Sequence, residues 1–323
     1  MAEPRDRVDH LLRRLAGDPE PGPGDEIRAR SGFEALTRGE QPARFGRRGL
    51  VVAGFGVVLA IVAAVVIFGV GRPSPASAAM EEIARAVEEV SPLSISDTEF
   101  VYQVIDSEAL AFDDPDRLGD ISYPDEYLVY SLPRSVEVWR GASGSVQMRV
   151  TVGRPTFFSS VAETAYYEAG LDESDAVGET FTQTFTGAQV EEWPADIDEL
   201  DEAIRDAMVT NRGLPDTVEY LDVALDIVED VMQPPDVRAS TLHLIGNLDG
   251  LKLVESNADE ATFSVEYVDR GLDVRLTFSV GVDGYLRFHE LLYLTADDEY
   301  GIPAGTVESS IRYSTPRIVE GLE

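Results

Sequence analysis

Apolar residues recur along this chain with two periods, and each change of period marks a new predicted element. Residues 80–90 carry apolar side chains at helical spacing, which predicts a helix that ends before Pro92. From Phe100 the period is two, as in a half-buried strand. The alternation is strictest over residues 146–152 and 272–280. The helical period returns between the two sets of strands.

Three helices are predicted in this middle part, over residues 197–246. Asp216 and Glu219 have the spacing of a capping box, which predicts that the second helix begins there. Pro235 is predicted to begin the third helix, because proline is favoured at a first helical position. The order of strands, helices and strands indicates an α+β domain with an antiparallel sheet.

Glycine-containing turns separate the predicted strands and indicate hairpins. These turns lie at residues 141–144, 269–271 and 283–284. Two acidic stretches, residues 106–126 and 169–180, lack either period and are predicted to be loops.

Residues 50–70 form the longest apolar run, with twenty-one residues and neither charge nor proline. As a helix this run is about 32 Å long, which is enough to cross a bilayer core. Arg44, Arg47 and Arg48 precede it, whereas only Arg72 follows closely. By the positive-inside rule, the N-terminus is predicted to be cytoplasmic and the rest extracytoplasmic. The chain is thus predicted to be a single-pass protein of the plasma membrane.

A cleaved signal peptide is the alternative interpretation of the same run, with residues 76–78 as a small-residue cleavage site. Signal sequences have only about 7–15 apolar residues, so the length favours a retained anchor, but cleavage after Ala78 stays open. The predicted organisation is a partly disordered cytoplasmic tail at residues 1–49, the transmembrane helix, a linker at 71–78 and an extracytoplasmic α+β domain at 79–323.

Charge is distributed very unevenly about the apolar run. Residues 1–49 contain ten Arg and nine acidic residues, a net charge of +1 in a chain whose total is −34. The remainder therefore has a net charge of −35. A surface that acidic repels phosphate groups, which excludes nucleic acid as an expected partner. Solubility alone is a sufficient reason for such a charge.

The residues of catalytic and metal sites are scarce in this sequence. Cysteine is absent, which excludes disulfides, thiol catalysis and cysteine-ligated zinc. His243 and His289 have no catalytic or metal-binding signature around them, so they are interpreted as ordinary histidines. Acidic clusters at 113–116, 172–175 and 297–299 lack the spacing of a calcium loop, and calcium binding stays open. The chain is predicted to be no enzyme and to need no cofactor.

The cytoplasmic tail offers one candidate surface for a partner. It consists of apolar residues with helical spacing on either side of a run rich in proline and glycine, namely Leu11, Leu12, Leu15, Phe33 and Leu36. Too short to bury a core alone, the tail is expected either to fold against a partner or to stay passive.

Three segments of the chain resemble the actinobacterial single-pass membrane proteins known as the CU044_5270 family. They are the apolar run followed by ASAAMEEIARA and FVYQV, the stretch that contains WPADIDELDEAI and LDIVEDVMQPPDVRASTLHLIGNLDGLKLV, and the hairpin VDRGLDVRLTFSVGVDGYLRF. Together they cover most of residues 50–295, and none of them is a catalytic motif.

The resemblance implies an envelope protein of the anti-sigma-factor type. It also implies that the outer domain is similar to the half-barrels of lipoprotein carriers and periplasmic stress sensors, with a curved antiparallel sheet and helices packed on one face. Zinc-type anti-sigma domains have a cysteine-containing motif that this tail lacks. A sigma factor bound by the tail would therefore be held without zinc.

Two functional hypotheses follow for the outer domain. In the first, it senses a signal while the tail binds a cytoplasmic sigma factor. In the second, it is a binding module that holds a lipid or another apolar ligand inside the half-barrel. An extracytoplasmic hydrolase is a third and less favoured alternative, because no catalytic motif is found.

Overall fold

The computed structural model describes residues 73–113, 128–185, 192–208, 214–297 and 302–321. The helices in these ranges are α1 Pro75–Glu88, α2 Ser160–Glu168, α3 Leu171–Ser174, α4 Ile197–Ala207, α5 Asp216–Glu229 and α6 Pro235–Gly246. The strands are β1 Glu99–Asp113, β2 Leu128–Gly141, β3 Val146–Val152, β4 Thr156–Phe157, β5 Thr180–Phe185, β6 Lys252–Ser256, β7 Glu260–Asp269, β8 Leu272–Gly281, β9 Leu286–Tyr293, β10 Val307–Tyr313 and β11 Arg317–Glu320.

All eleven strands belong to one antiparallel sheet in the order β5-β3-β2-β1-β10-β9-β8-β7-β6. The short strand β11 pairs with β1, and β4 pairs with β2. The sheet is curved and does not close, so it resembles half of a barrel. The α+β class and the curved antiparallel sheet predicted from the sequence are confirmed. Pairing of β1 with β10 joins the strands before the helices to those after them.

The hairpins form where the sequence predicts them, and the turn between β7 and β8 shows why. Asp269 pairs with Leu272, which leaves a two-residue loop. Both loop residues have positive φ, 50° for Arg270 and 88° for Gly271. This geometry matches the right-handed twist of the flanking strands, and glycine adopts it without strain.

The prediction of a loop over residues 106–126 is wrong for its first part, because β1 continues to Asp113. Asp106 and Glu108 interrupt the apolar pattern there. In the sheet, Asp106 accepts a hydrogen bond from Ser135 Oγ at 2.6 Å, and Glu108 accepts one from Ser131 Oγ. Hydroxyl groups on the neighbouring strand thus make these carboxylates compatible with a sheet.

The helix boundaries differ from the predicted ones at two places. The prediction of a capping box is wrong, because Pro215 is the N-cap residue of α5 and no side chain caps the helix. Glu219, the expected second member of the box, is instead buried. Helix α1 begins at Pro75, inside the predicted linker, where the Ser74 side chain caps it at 3.0 Å. The second predicted loop, 169–180, contains the short helix α3 and ends where β5 begins.

The predicted transmembrane helix at 50–70, the tail at 1–49 and its five candidate residues lie outside the described residues. Within the described ranges, no helix is both long and apolar enough to cross a bilayer.

Candidate ligand-binding site

One face of the sheet, here called the inner face, packs against the helices. The strand registers place apolar side chains next to each other across it, and nearly all of them are buried. Such neighbouring pairs are Phe263–Phe278, Leu276–Leu291, Ile105–Val136 and Val138–Met148. The rings of Phe263 and Phe278 stack with centroids 5.5 Å apart. The inner face is therefore mostly apolar from β7 to β3, with the buried polar side chains of Gln103, Ser107 and His289 on its central strands.

Helices α1, α5 and α6 cover this face and complete a single apolar cluster with it. The helices contribute mostly small and aliphatic side chains to the cluster, among them Met80, Val87, Ala224, Leu225 and Ile245. Small residues let the helices lie close to each other and to the sheet. The cluster thus has a sheet wall and a helical wall, with no third layer between them among the described residues.

Helix α1 packs closely against two glycines, one in α6 and one in the turn between β8 and β9. A Cβ atom at Gly246 of α6 would lie 2.9 Å from Met80 Cβ, and one at Gly284 would lie 2.3 Å from Val87 Cγ2. Gly284 is in the turn between β8 and β9 and has a φ of 76°. At the solvent side of the helical wall, His243 Nδ1 lies 2.6 Å from Glu81 Oε2.

A group of polar side chains interrupts the apolar interior at one end, where α5 leads into α6. Arg140 of β2 is 9% exposed. Burial lowers the pKa of its guanidinium, although the charges of Asp230 and Glu229 oppose that shift. Glu229 accepts a hydrogen bond from Tyr313 Oη at 2.9 Å, and Asp230 accepts one from Gln233 Nε2 at 3.2 Å. The buried guanidinium thus lies near two carboxylates that are themselves hydrogen-bonded.

A second buried guanidinium lies close to this group. Arg238 of α6 is 1% exposed and lies 3.9 Å from the ring centroid of Tyr285. Its Nη1 donates to the carbonyl oxygen of Asp283 at 3.2 Å. Burial lowers the pKa of Arg238, and the charges of Asp283 and Asp230 oppose the shift. Because Asp230 interacts with both arginines, the two belong to one polar cluster.

The polar cluster retains hydrogen-bond donors that the protein does not use. Arg140 Nη1 and Arg238 Nε are buried and have no acceptor among the described residues. An unsatisfied buried donor costs about 1–3 kcal/mol, so such groups are rare in native proteins. An acceptor atom of a bound molecule would remove that cost. Chemically, the interior can thus accommodate an apolar body at the sheet and an acceptor at the polar cluster.

The remaining candidates from the sequence lie in separate places. His243 is half-buried and pairs with Glu81, while His289 is buried in β9 opposite Phe278 and Ile311. Among the described residues no three potential ligands are grouped so that they could hold a metal ion. In the 172–175 cluster, Asp175 Oδ2 accepts hydrogen bonds from Tyr130 and Tyr166 at 2.7 and 2.9 Å. This carboxylate therefore has a structural role.

The outer face of the sheet, opposite the helices, has a polar and aromatic ladder that the sequence pattern did not indicate. Trp139 packs on Tyr102 with centroids 5.2 Å apart, and Arg149 lies over the Trp139 ring at 5.1 Å. Glu137 accepts from Tyr102 Oη at 2.9 Å and from Arg149 Nη1 at 3.0 Å. Arg317 lies over the Tyr102 ring, 4.9 Å from its centroid. The alternating pattern of β2 and β3 predicts on which face of the sheet each residue lies, but it does not predict these contacts.

No known protein-family profile matches the chain, and no curated protein sequence is significantly similar to it. The likeness to the CU044_5270 family thus stays a prediction.

Proposed function

We propose that the outer domain is an extracytoplasmic binding module that holds an apolar ligand between the inner face of the sheet and the helices. The observation that carries the proposal is the continuity of the apolar cluster across an open, curved sheet and its helical wall. Binding sites for small molecules are concave and mostly apolar, with a few polar groups. The half-barrel described above is concave and mostly apolar along its length, and the polar cluster supplies polar groups at one end.

The ligand would enter by separating the helical wall from the sheet. The helices contact the sheet mostly through aliphatic side chains. An acyl chain is aliphatic too, so it can make the same kind of contact with the sheet. Each buried methylene group of a ligand contributes about 0.8 kcal/mol, so a long chain can replace the contacts that the helices give up. Displacement of the helices from the sheet is therefore the expected route of ligand entry.

The polar cluster defines the expected orientation of the ligand. Arg140 Nη1 and Arg238 Nε would donate to an acceptor at one end of the ligand, while its chain lies along the apolar part of the inner face. The proposed ligand class is therefore a fatty acid or an acyl ester. Because the guanidinium groups are charged, their hydrogen bonds to either kind of acceptor are about twice as strong as neutral ones.

Extraction of the purified full chain with organic solvent, followed by mass spectrometry, tests this proposal. We expect one fatty acid or acyl lipid per chain, and fewer after Leu276→Asp, which places a charge on the inner face. Thr277→Asp is the matched control, because Thr277 is the neighbouring residue of β8 and faces outward. Absence of any enriched acyl species from the wild-type extract would contradict the proposal.

A second candidate function, transmembrane signalling, is favoured by the position of α1. This helix follows the predicted membrane span in sequence and is itself part of the helical wall. Ligand entry that moved α1 would therefore act on the chain next to the membrane. The proposed cytoplasmic partner is a sigma factor bound by the tail around Leu11 and Phe33. Affinity purification of the full chain should then recover a sigma factor, and recovery of none would count against this candidate.

A further inference from the structure

The two edges of the open sheet differ in how they are protected. At the β6 edge, Lys252 pairs with Glu266 at 2.9 Å, and Glu255 adds a second charge to the strand. The β6–β7 ladder also shifts register between Leu253 and Glu255. Charges and irregular pairing are the usual means by which edge strands avoid pairing with other chains.

The β5 edge lacks both of these protections. Strand β5 pairs with β3 in an unbroken register from Thr180 to Phe185, and none of the described residues pairs with its other side. Residues 180–184 are exposed, including Phe181 at 37%. The sequence from 180 to 190 contains neither charge nor proline, in a chain of net charge −34. This edge therefore presents free backbone groups on an uncharged strand.

The sequence of this strand is also self-complementary. Residues 180–186 read TFTQTFT, which is the same in both directions about Gln183. In an antiparallel pair of two such strands centred on Gln183, Phe181 lies opposite Phe185 and Thr182 lies opposite Thr184. Aromatic pairs and threonine pairs are among the cross-strand neighbours that stabilise sheets. The same pairs occur on both sides of the axis, as a two-fold symmetric contact requires.

We propose that β5 is a homodimerisation edge, at which it pairs antiparallel with β5 of a second copy of this chain. The contact joins the two half-barrel sheets into one continuous sheet. Acidic surfaces elsewhere on the two copies repel each other, so the uncharged stretch is where a second copy can approach most closely. The association is expected to strengthen with salt, because the Debye length falls from about 10 Å at 0.1 M to about 3 Å at 1 M.

Single-cysteine variants of the full chain provide the test, because the natural sequence contains no cysteine. In the proposed register, the two copies of residue 183 are directly opposite, with Cα atoms about 4.5–5.5 Å apart, within the range of a disulfide. The two copies of residue 180 are offset by six positions, about 20 Å. We therefore compare Gln183→Cys with Thr180→Cys, which is also at an exposed position of the same strand.

Under mild oxidation, Gln183→Cys is expected to form a disulfide-linked dimer about tenfold faster than Thr180→Cys. Adding Thr182→Lys to Gln183→Cys should slow the reaction, because it places two like charges at the paired edge. Val254→Lys, on the β6 edge, is the matched control and should leave the rate unchanged. Equal rates for positions 183 and 180, or no dimer at either, would overturn the proposal.

Discussion

Trp139 and Arg140 are neighbours in sequence, yet they lie on opposite faces of the sheet in very different surroundings. On the outer face, Trp139 forms a ladder with Arg149, whose side chain is 38% exposed and pairs with Glu137. On the inner face, Arg140 is buried with Glu229 and Asp230 around it. The same residue type, arginine, is thus hydrated on one face and desolvated on the other.

The two environments differ in what an arginine contributes to stability. An exposed ion pair contributes about 0–1 kcal/mol, so the outer ladder adds modest stability at little cost. A buried guanidinium carries a desolvation penalty of several kcal/mol, which apolar residues of similar volume would avoid. Retaining two of them in an apolar interior is expensive for stability alone. The proposed explanation is that they serve a ligand.

The largest difference is expected between Arg140→Met and Arg149→Met. Loss of Arg140 removes a buried positive charge beside the half-buried Glu229 and Asp230, which should lower the free energy of unfolding by about 3 kcal/mol, the lower end for a broken buried pair. Loss of Arg149 breaks an exposed pair and should cost about 1 kcal/mol or less. Urea unfolding of the full chain measures both values. Similar losses for the two variants would remove the distinction between the faces.

A smaller difference is expected between two turn glycines, Gly284 and Gly271. Both have positive φ, so alanine strains the backbone at either site by about 1–2 kcal/mol. At Gly284 the new Cβ would also meet Val87 Cγ2 at 2.3 Å, whereas nothing lies within 4 Å at Gly271. Overpacking adds about 1–3 kcal/mol. Gly284→Ala should thus unfold at clearly lower urea than Gly271→Ala, and equal midpoints would show that α1 does not pack on this turn.

The smallest effect concerns Glu81, on the solvent side of the helical wall. Burial raises the pKa of Glu81, but hydrogen bonds from Arg85 and His243 outweigh this and hold the pKa below its usual 4.5. A carboxyl group whose pKa is lowered by folding stabilises the protein at pH values above its unperturbed pKa. This stabilisation is lost as the pH falls through the lowered pKa. Because the side chain is 37% exposed, the contribution should be only a few tenths of a kcal/mol.

The variant Glu81→Gln should therefore lose slightly more stability at pH 7 than at pH 3, as measured by urea unfolding. Glu88→Gln changes the same charge at an exposed position of α1 and serves as the control. A pH dependence of the same size in both variants would mean that the contacts with Arg85 and His243 contribute nothing.

The sequence predicted those parts of the fold that depend on local patterns. Strands β7 to β9 have strict alternation and glycine turns, so their hairpins were predictable. The second half of β1 was not, because Asp106 and Glu108 are stabilised by hydroxyl groups of the next strand, which the local pattern does not bring to them. The capping box failed for a local reason, since Pro215 takes the N-cap position that Asp216 would need.

The candidate site was predictable only in part. Its apolar walls follow from the alternating and helical patterns together with the half-barrel resemblance. The polar cluster does not, because Arg140 meets Glu229 and Asp230 across about ninety residues of sequence. The alternating pattern places Arg140 on the face of Val136 and Val138, and Arg149 on the polar face with Gln147 and Thr151. Only the tertiary fold shows which carboxylates meet the arginine on the inner face.

The chain has two tryptophans, and their positions allow the most direct test of the proposed interior site. Trp193 packs against the apolar cluster, whereas Trp139 lies on the outer face. Bromine atoms on an acyl chain quench tryptophan fluorescence at short range. The measurement is titration of a mid-chain brominated fatty acid into Trp139→Phe and Trp193→Phe variants of the full chain in nanodiscs. We predict saturable quenching of Trp193, reversed by an unlabelled fatty acid, and little quenching of Trp139. Equal quenching of both, or none of Trp193, would contradict ligand binding between the sheet and the helices.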